Sequence, residues 1–307
     1  MNKHAPKLNK VILYYKFTPI ADPEAVLIWQ KYLCQSLNLK GRILISKHGI
    51  NGTVGGEMAD VKKYVRETRR YEGLKKTVFK WSDGTGNEFP RLRVVVKDEL
   101  VAFGSPGEIE VDENGVIGGG VHLRPEQVEE LVKERGDEVV FFDGRNAYEA
   151  KIGKFKNAIV PDVDTSRDFI REIESGKYDH IKDKPVVTYC TGGIRCEILS
   201  AVMKKRGFNE VYQIEGGIVR YGNKFGDDSL WEGSLFTFDG RMAIDFSTKT
   251  KVIGECERCS AKTNTFFNCA TASCHELILL CVDCSKLDSN LSCVHTGVNK
   301  RDAEMVG

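Results

Sequence analysis

Cys190 stands at the head of the segment of this sequence that is best suited to nucleophilic chemistry. The residues that follow it are small, glycine-rich and end on a cation: Thr191, Gly192, Gly193, Ile194 and Arg195. A strand is predicted before this loop at Pro185–Tyr189, and a helix after it from Cys196 to Arg206. Open parallel sheets bind ligands beyond the carboxyl ends of their strands, and glycine-rich turns and helix N-termini present N–H groups to anions. With Arg195, this setting predicts a Cys190 thiolate and disfavours an inert buried cysteine.

Three nearby residues each have two readings. Asp143 and Arg145 follow another predicted strand, so a parallel sheet places them at the same edge as Cys190. They either line the pocket or form a buried ion pair that braces the loop, and the structural role is slightly favoured. Cys196 either resolves an oxidised Cys190 through a disulfide or packs as a small residue at the helix start.

Strands and helices alternate around the loop. Short apolar strands are predicted at 139–143, 185–189 and 211–214, and helices at 125–134 and 196–206. This order predicts a central α/β domain with a parallel sheet at residues 121–228. Residues 105–120 are rich in glycine and lack apolar periodicity, which predicts a linker before this domain.

The first 104 residues have a different order of elements. The helix predicted from Asp22 to Leu37 has an aspartate as its N-cap and Pro23 in its first turn, and a second helix is predicted from Glu57 to Arg70. Strands are predicted at Val11–Phe17, Arg42–Ser46, Leu92–Val96 and Leu100–Phe103, with a tight HGINGT segment after the second. The β-α-β-β-α-β order indicates a ferredoxin-like α+β sandwich at residues 1–104.

Two segments of this N-terminal domain are basic and glycine-rich, GRILISKHGINGTVGG and FPRLRVVVK. Strands that carry basic and aromatic side chains can bind RNA through phosphate contacts and base stacking. Solvated surface charge is the alternative, and composition alone favours it. If the segments bind RNA, the contact residues are Arg42, Lys47, His48, Asn51, Arg91 and Arg93.

The tail, residues 229–307, contains seven of the ten cysteines. Its two C-x2-C pairs have the spacing of metal knuckles, because both sulfurs of a pair can reach one tetrahedral ion. We expect a structural zinc bound by Cys256, Cys259, Cys281 and Cys284; reduced thiols or disulfides formed on isolation are the alternative. A second site is expected from the remaining cysteines with a histidine: Cys269, Cys274 and Cys293.

The overall composition limits the classes of protein to consider. The chain has 307 residues, of which 41% are hydrophobic and 29% charged, as in ordinary globular proteins of two or three domains. The formal net charge is +1, so any nucleic-acid site must be a local patch. The N-terminus lacks an apolar signal region and no stretch is long enough for a membrane helix, which favours a cytoplasmic protein.

The Cys190 loop resembles the active loop of rhodaneses, in which a cysteine and four residues are often followed by an arginine. DGRNAYEAKIGKFKNAIVP (143–161) and EGGI (215–218) resemble two further signatures of that superfamily, although Lys154 stands where many rhodaneses have histidine. The resemblance implies a cysteine that carries a persulfide. Related phosphatases have a loop one residue longer; because Cys196 occupies the place of their arginine, phosphatase activity is disfavoured.

The combination of HGINGTV, FPRL and CTGGIRCE in one chain resembles the bacterial tRNA uridine hydroxylase family over nearly the whole length. That resemblance implies an acylphosphatase-like N-terminal domain joined to a rhodanese domain. It also implies oxygen-dependent hydroxylation of the wobble uridine of tRNA to 5-hydroxyuridine, with Cys190 and Arg195 at the catalytic site. The sequence contains no evident iron triad, flavin fingerprint or haem ligand, and it leaves the electron donor and the oligomeric state open.

Two other functions compete with hydroxylation. A sulfurtransferase would pass persulfide sulfur from the same Cys190 loop to an acceptor. A zinc-stabilised RNA- or protein-binding module would retain an inactive rhodanese domain, which the intact Cys190 and Arg195 disfavour.

Overall fold

The computed structural model describes residues 8–104, 106–227, 229–271, 274, 276–287 and 291–292. The chain divides into two compact units, one formed by 1–147 with 157–224 and the other by 148–156 with 225–307. No helix in the described part of the chain is both long and apolar enough to cross a membrane.

The N-terminal domain in the first unit is a five-stranded sheet with two helices. Its elements are β1 (Asn9–Phe17), α1 (Pro23–Ser36), β2 (Lys40–Ser46), β3 (Gly49–Glu57), α2 (Met58–Thr68), β4 (Val78–Gly84) and β5 (Leu92–Val96). The strand order is β4-β1-β3-β2-β5, with β2 and β5 parallel and the other pairs antiparallel. The predicted ferredoxin-like fold is confirmed. The Asp22 carboxylate caps α1 by accepting the Ala25 N–H at 3.0 Å, as predicted.

Two details of this domain differ from the predictions. Val78–Gly84 forms an edge strand that was not expected, because its alternation includes polar residues and only Phe79 is buried. Leu100 and Phe103 do not form a strand; both are 2% exposed and pack into the core of the central domain. Their hydrophobicity serves packing between the domains, not sheet pairing.

The two faces of the N-terminal sheet have different neighbours. Ile43 and Ile45 of β2 point into the core shared with residues of α1 and α2. Side chains alternate along a strand, so Arg42 and Leu44 lie on the other face. That helix-free face is directed at the central domain, where Phe17 of β1 joins the core.

The central domain alternates strands and helices. Its elements are β6 (Val111–Asp112), β7 (Gly115–Val116), β8 (Val121–Leu123), α3 (Pro125–Arg135), β9 (Val140–Asp143), α5 (Phe169–Glu174), β11 (Pro185–Tyr189), α6 (Ile194–Lys205), β12 (Glu210–Ile214) and α7 (Gly217–Phe225). Four of the strands form a parallel sheet in the order β8-β12-β11-β9. The predicted α/β domain with a parallel sheet is therefore confirmed. A short hairpin, β6 with β7, lies within the segment expected to be a linker.

The second unit consists of short antiparallel strand pairs around a small core. The elements are α4 (Ala147–Ala150, whose first residue belongs to the first unit), β10 (Gly153–Phe155), β13 (Trp231–Gly233), β14 (Leu235–Phe236), β15 (Ala243–Ile244), β16 (Phe266–Asn268), β17 (Leu277–Leu279) and α8 (Val282–Ser285). β10 pairs with β13, β14 with β15, and β16 with β17.

Candidate active site

The Cys190 loop connects the end of β11 to the start of α6, and hydrogen bonds hold it in place. The N–H groups of Ile218 and Val219, at the start of α7, donate to the carbonyl oxygens of Cys190 and Thr191 at 3.0 and 3.1 Å. The N–H of Gly193 donates to the Cys190 Sγ at 3.2 Å. Gly193 has a φ of +100°, a left-handed conformation that favours glycine. The loop therefore turns N–H groups towards the sulfur and carbonyl groups away from it.

These contacts support the predicted thiolate. Burial opposes a charge on Cys190, which is 1% exposed. A hydrogen bond from the Cys196 thiol, the charge of Arg195 and the backbone N–H groups of both residues outweigh burial and lower the pKa of Cys190 to about 6. Burial and the neighbouring Cys190 raise the pKa of Cys196, so Cys196 stays protonated and donates. Arg195 also donates to the Thr191 hydroxyl at 3.3 Å.

Asp143 and Arg145 form an ion pair beside the loop. Both are fully buried, with Arg145 Nη2 2.6 Å and Nε 2.9 Å from the two Asp143 carboxylate oxygens. The Arg145 guanidinium lies 5.6 Å from the ring centre of Tyr189, the residue before Cys190. This geometry favours the structural reading, in which the pair braces the strand end.

The N-terminal sheet covers the loop. The side chain of Leu13 in β1 approaches Gly192 so closely that a Cβ on this glycine would lie 2.7 Å from Leu13 Cδ2. The Tyr15 hydroxyl lies above Gly193 and donates to the Glu197 carboxylate at 2.9 Å. Side chains of the N-terminal domain therefore cover the Cys190 loop.

Glu197, in the first turn of α6, joins three parts of this unit. Its Oε1 accepts from Tyr15 and is 2.9 Å from His122 Nε2, and its Oε2 accepts from Gln213 at 3.1 Å. Burial raises the pKa of the 9% exposed Glu197, but the hydrogen bonds from these partners outweigh burial and hold it below its ordinary value. The hydrogen bond to Glu197 raises the pKa of His122. A charged carboxylate thus links β1, β8 and β12.

A cavity of about 240 Å³ opens beside this junction. Lys80 of β4 projects over the loop, with its Nζ 4.6 Å from the Tyr15 ring centre and 3.8 Å from the position a Cβ on Gly192 would take. The cavity is lined by aromatic, basic and acidic side chains, among them Tyr15, Lys80, His122, Glu197, Glu215 and Arg220.

Two of the residues predicted to contact RNA lie side by side. Arg42 and Arg93 are exposed partners on the parallel strands β2 and β5. Their pairing register continues across the sheet through Thr53 and Leu13 to Lys80. We call these five residues the cross-sheet row: Arg93, Arg42, Thr53, Leu13 and Lys80. Directly paired residues face the same side of a sheet, so the row runs from the two arginines to Leu13 and Lys80, which cover the Cys190 loop.

The other four residues predicted to contact RNA lie apart from Arg42 and Arg93 or have structural partners. Lys47 is exposed in the turn between β2 and β3, and Arg91 is exposed just before β5. His48 is half-buried in the same turn as Lys47. Asn51 donates to the Leu100 carbonyl oxygen at 3.4 Å.

The four cysteines predicted to share a metal come together in the second unit. The Sγ atoms of Cys256, Cys259, Cys281 and Cys284 all lie within 4.8 Å of one another. Cys259 Sγ and Cys281 Sγ are 3.6 Å apart, near the roughly 3.8 Å separation that zinc–sulfur bonds of about 2.3 Å produce in a tetrahedron. The cluster can hold a metal ion such as zinc.

The structure describes two of the three cysteines that were predicted to form a second metal site. Cys269 and Cys274 are buried in a small core with Ile278 and Leu280. Cys293, the third ligand expected for that site, lies outside the described residues.

Sequence reasoning missed the part of the site that comes from other segments. Tyr15, Lys80, His122 and Gln213 have no motif in the chain around them. Glu197 was inside the quoted CTGGIRCE motif, and its position one residue after Cys196 was the one available signal.

Comparison with protein families divides the chain into three matches. A UPF0176 acylphosphatase like domain matches residues 9–100, a rhodanese-like domain matches 125–224, and a rhodanase C-terminal region matches 232–296.

Curated proteins from Corynebacterium and Arthrobacter species are similar over nearly the whole chain. A protein of Corynebacterium jeikeium named tRNA uridine(34) hydroxylase is 64% identical over 309 residues, covering 100% of both chains. Proteins with the same name from Corynebacterium diphtheriae and an Arthrobacter species are each 62% identical, and each match covers 93% of this chain. They are covered over 93% and 97% of their own length, respectively.

The hydrogen bonds at Cys190 lead to a testable pH dependence. Because its pKa is lowered to about 6, the sulfur is a thiolate above that pH, so its alkylation rate should rise through pH 6 and level off below pH 8. Cys196→Ala removes one hydrogen bond and should move the midpoint upward. Peptide mass spectrometry after treatment with a small alkylating reagent measures both. Cys34, whose pKa burial raises to about 12, is the internal control. A Cys190 midpoint at an ordinary thiol value, about 8.5, would contradict the thiolate.

Proposed function

This chain belongs to the tRNA uridine(34) hydroxylase family, and we propose that Cys190 is the residue on which its hydroxylation of tRNA depends. The chain is accordingly an enzyme, and its substrate is uridine 34 of tRNA. The observation that carries the proposal is the lowered pKa of Cys190 in a loop that directs N–H groups at the sulfur. Arg195 is proposed to act with it by stabilising the thiolate.

The proposed reaction replaces the C5–H of uracil with C5–OH, a two-electron oxidation. We propose molecular oxygen as the co-substrate, with a reductant of unassigned identity supplying the electrons that reduce its second oxygen atom to water. A sulfur-based oxidant formed at Cys190 is one hypothesis for how oxygen is transferred. The Cys196 thiol, hydrogen-bonded to Cys190, is proposed to hold that sulfur in its reactive state.

The cross-sheet row is proposed to guide the RNA strand. Arg42 and Arg93 are exposed and adjacent, and desolvation together with Arg93 lowers the pKa of Arg42. Two neighbouring guanidinium groups are well suited to backbone phosphates. Lys47, His48, Asn51 and Arg91 remain secondary candidates for RNA contact.

Zinc is proposed as the structural metal of the Cys256 cluster. Four thiolates in tetrahedral reach are the donor set that zinc prefers in structural sites, and the bound metal would add to the stability that the small hydrophobic core provides in the second unit. A second ion at Cys269, Cys274 and Cys293 stays a proposal. The cluster is assigned no catalytic role.

The proposed domain limits are 1–104, 121–228 and 229–307, with a linker at 105–120. The ranges of the three family matches lie within these domain limits and support them. We place the enzyme in the cytoplasm, where its tRNA substrate is found.

Replacement of Cys190 tests the proposed catalytic role. Cys190→Ser should abolish 5-hydroxyuridine in tRNA from cells that lack the native gene, because a serine hydroxyl is not ionised at neutral pH. Nucleoside analysis by mass spectrometry measures it, with Cys34→Ala as a matched cysteine control that keeps activity. Full hydroxylation by Cys190→Ser would contradict the proposal. Loss of thiolated nucleosides instead would favour a sulfurtransferase.

Arg42 and Arg93 of the cross-sheet row should contact phosphate groups of the tRNA. Arg93→Gln should raise KM for tRNA at low salt and reduce the slope of log affinity against log salt concentration by about 1, with kcat nearly unchanged. Filter binding at several salt concentrations measures the slope. Arg66→Gln, on the exposed surface of α2, is the control. An unaltered slope would exclude Arg93 from the RNA interface.

Removal of one cluster ligand tests the metal. Protein purified under reducing conditions should contain at least one zinc per chain, and Cys281→Ser should lose one ion and make the second unit sensitive to proteolysis. Elemental analysis and limited proteolysis measure the two effects. Cys34→Ala, a buried cysteine outside the cluster, should keep the metal. Absence of zinc from the freshly reduced native protein would contradict the assignment.

A further inference from the structure

Lys80 of the N-terminal sheet places a cation over the Cys190 loop. Its Nζ stacks on the Tyr15 ring at 4.6 Å and lies close to Gly192. Among the residues that the structure describes, none forms a hydrogen bond or ion pair with its ammonium. Burial lowers the pKa of Lys80 to about 8, although the nearby Cys190, Glu197 and Glu215 oppose that shift. Lys80 is half-buried at the wall of the cavity, where a ligand can accept the hydrogen bonds that its ammonium is able to donate.

The surroundings of Lys80 favour a neutral ligand over an anion. The carboxylates of Glu197 and Glu215 line the same cavity, and the Cys190 thiolate is within electrostatic reach. Arg220, the other cation at this end, already pairs with Glu215. A phosphate placed at Lys80 would face these negative groups. A carbonyl oxygen carries no net charge and accepts the hydrogen bonds that the ammonium can donate.

We propose that Lys80 selects the base at the reaction centre by donating a hydrogen bond to O4 of the target uracil. This inference rests on the proposed hydroxylation of uridine 34. The reacting carbon, C5, is bonded to C4, so the carbonyl nearest the chemistry is O4. Lys80 lines the cavity together with Tyr15, and its Nζ lies 3.8 Å from the position that a Cβ on Gly192 of the Cys190 loop would take. A base that entered the cavity with C5 directed at the loop would therefore have O4, on the adjacent ring carbon, within reach of Lys80. Tyr15 forms the aromatic wall.

The same contact explains discrimination against cytosine. Cytosine carries an amino group at C4 where uracil carries an oxygen, and an ammonium is a donor without acceptor capacity. Cytosine at this position would set two donors against each other and leave the Lys80 charge without a partner. Sites built around one such hydrogen bond reject analogues that cannot form it strongly. Lys80 is therefore a specificity-determining residue supplied by the N-terminal domain.

The experiment compares two tRNAs that differ only at position 34, uridine or cytidine, with native enzyme and Lys80 variants. Lys80→Met should lower kcat/KM for the uridine substrate by on the order of 10²-fold, as expected for loss of one charged donor at a reaction centre. The binding advantage of the uridine tRNA over the cytidine tRNA in competition should fall with it. Lys80→Arg, which keeps a donor, should retain most of that advantage. Lys31→Met, on the exposed face of α1, should behave as native.

Two further measurements distinguish a base-selecting role of Lys80 from a structural role. The melting temperature of Lys80→Met should fall only slightly, because the variant loses the cation–π contact with the Tyr15 ring but no hydrogen bond or ion pair; a structural role for Lys80 would lower it strongly. With native enzyme, 4-thiouridine at position 34 should lower kcat/KM, because sulfur is the weaker acceptor, whereas Lys80→Met should be indifferent to that replacement.

Three outcomes would overturn the inference. One is an unchanged preference for uridine over cytidine in Lys80→Met. Another is an equal response of native and variant enzyme to 4-thiouridine. The third is a salt-slope reduction of about 1 with kcat unchanged, which would assign Lys80 to a phosphate. If native enzyme forms no 5-hydroxyuridine, the proposed function fails; if only the Lys80 comparisons fail, the function stands and the base-selecting role is lost.

Discussion

The two hydrogen bonds from α7 to the carbonyl oxygens of Cys190 and Thr191 set the chemistry of this protein. A peptide group that directs its carbonyl one way directs its N–H the other way, so pinning these oxygens turns the following N–H groups towards the sulfur. The resulting positive field offsets the burial of Cys190, which alone would keep the thiol protonated. The Asp143–Arg145 pair and the Glu197 junction then hold the strand end and the helix start around the loop.

The N-terminal domain contributes to this site through a face that a ferredoxin-like sheet leaves without helices. Leu13 and Tyr15 of β1 lie on the loop glycines, and Lys80 of β4 extends over them. Covering the loop in this way excludes water from the thiolate and brings a second source of polar groups to it. A positive charge in addition to that of Arg195 is therefore supplied by a domain that is distant in the chain.

Local patterns were enough to predict the features that depend on neighbouring residues. The Asp22 cap of α1, the strand–loop–helix setting of Cys190 and the Cys256 cluster each follow from spacing within a short segment. Tyr15, Lys80 and Glu197 could not be brought together in this way, because their proximity depends on how two domains pack. The error at Leu100–Phe103 has the same origin: an apolar run was read as a strand, but its side chains fill an interdomain core.

The cross-sheet row makes strand register part of the enzyme's specificity. Each of its residues faces the Cys190 side only because β4, β1, β3, β2 and β5 pair in one particular alignment. A shift of β4 by a single residue would leave the sheet hydrogen-bonded, but it would turn Lys80 towards the helices and bring Phe79 or Trp81 to the loop. Single-residue insertions in β4 should therefore remove Lys80 from the Cys190 loop, and with it the proposed hydrogen bond to the base, while the loop residues that stabilise the thiolate are unchanged in sequence.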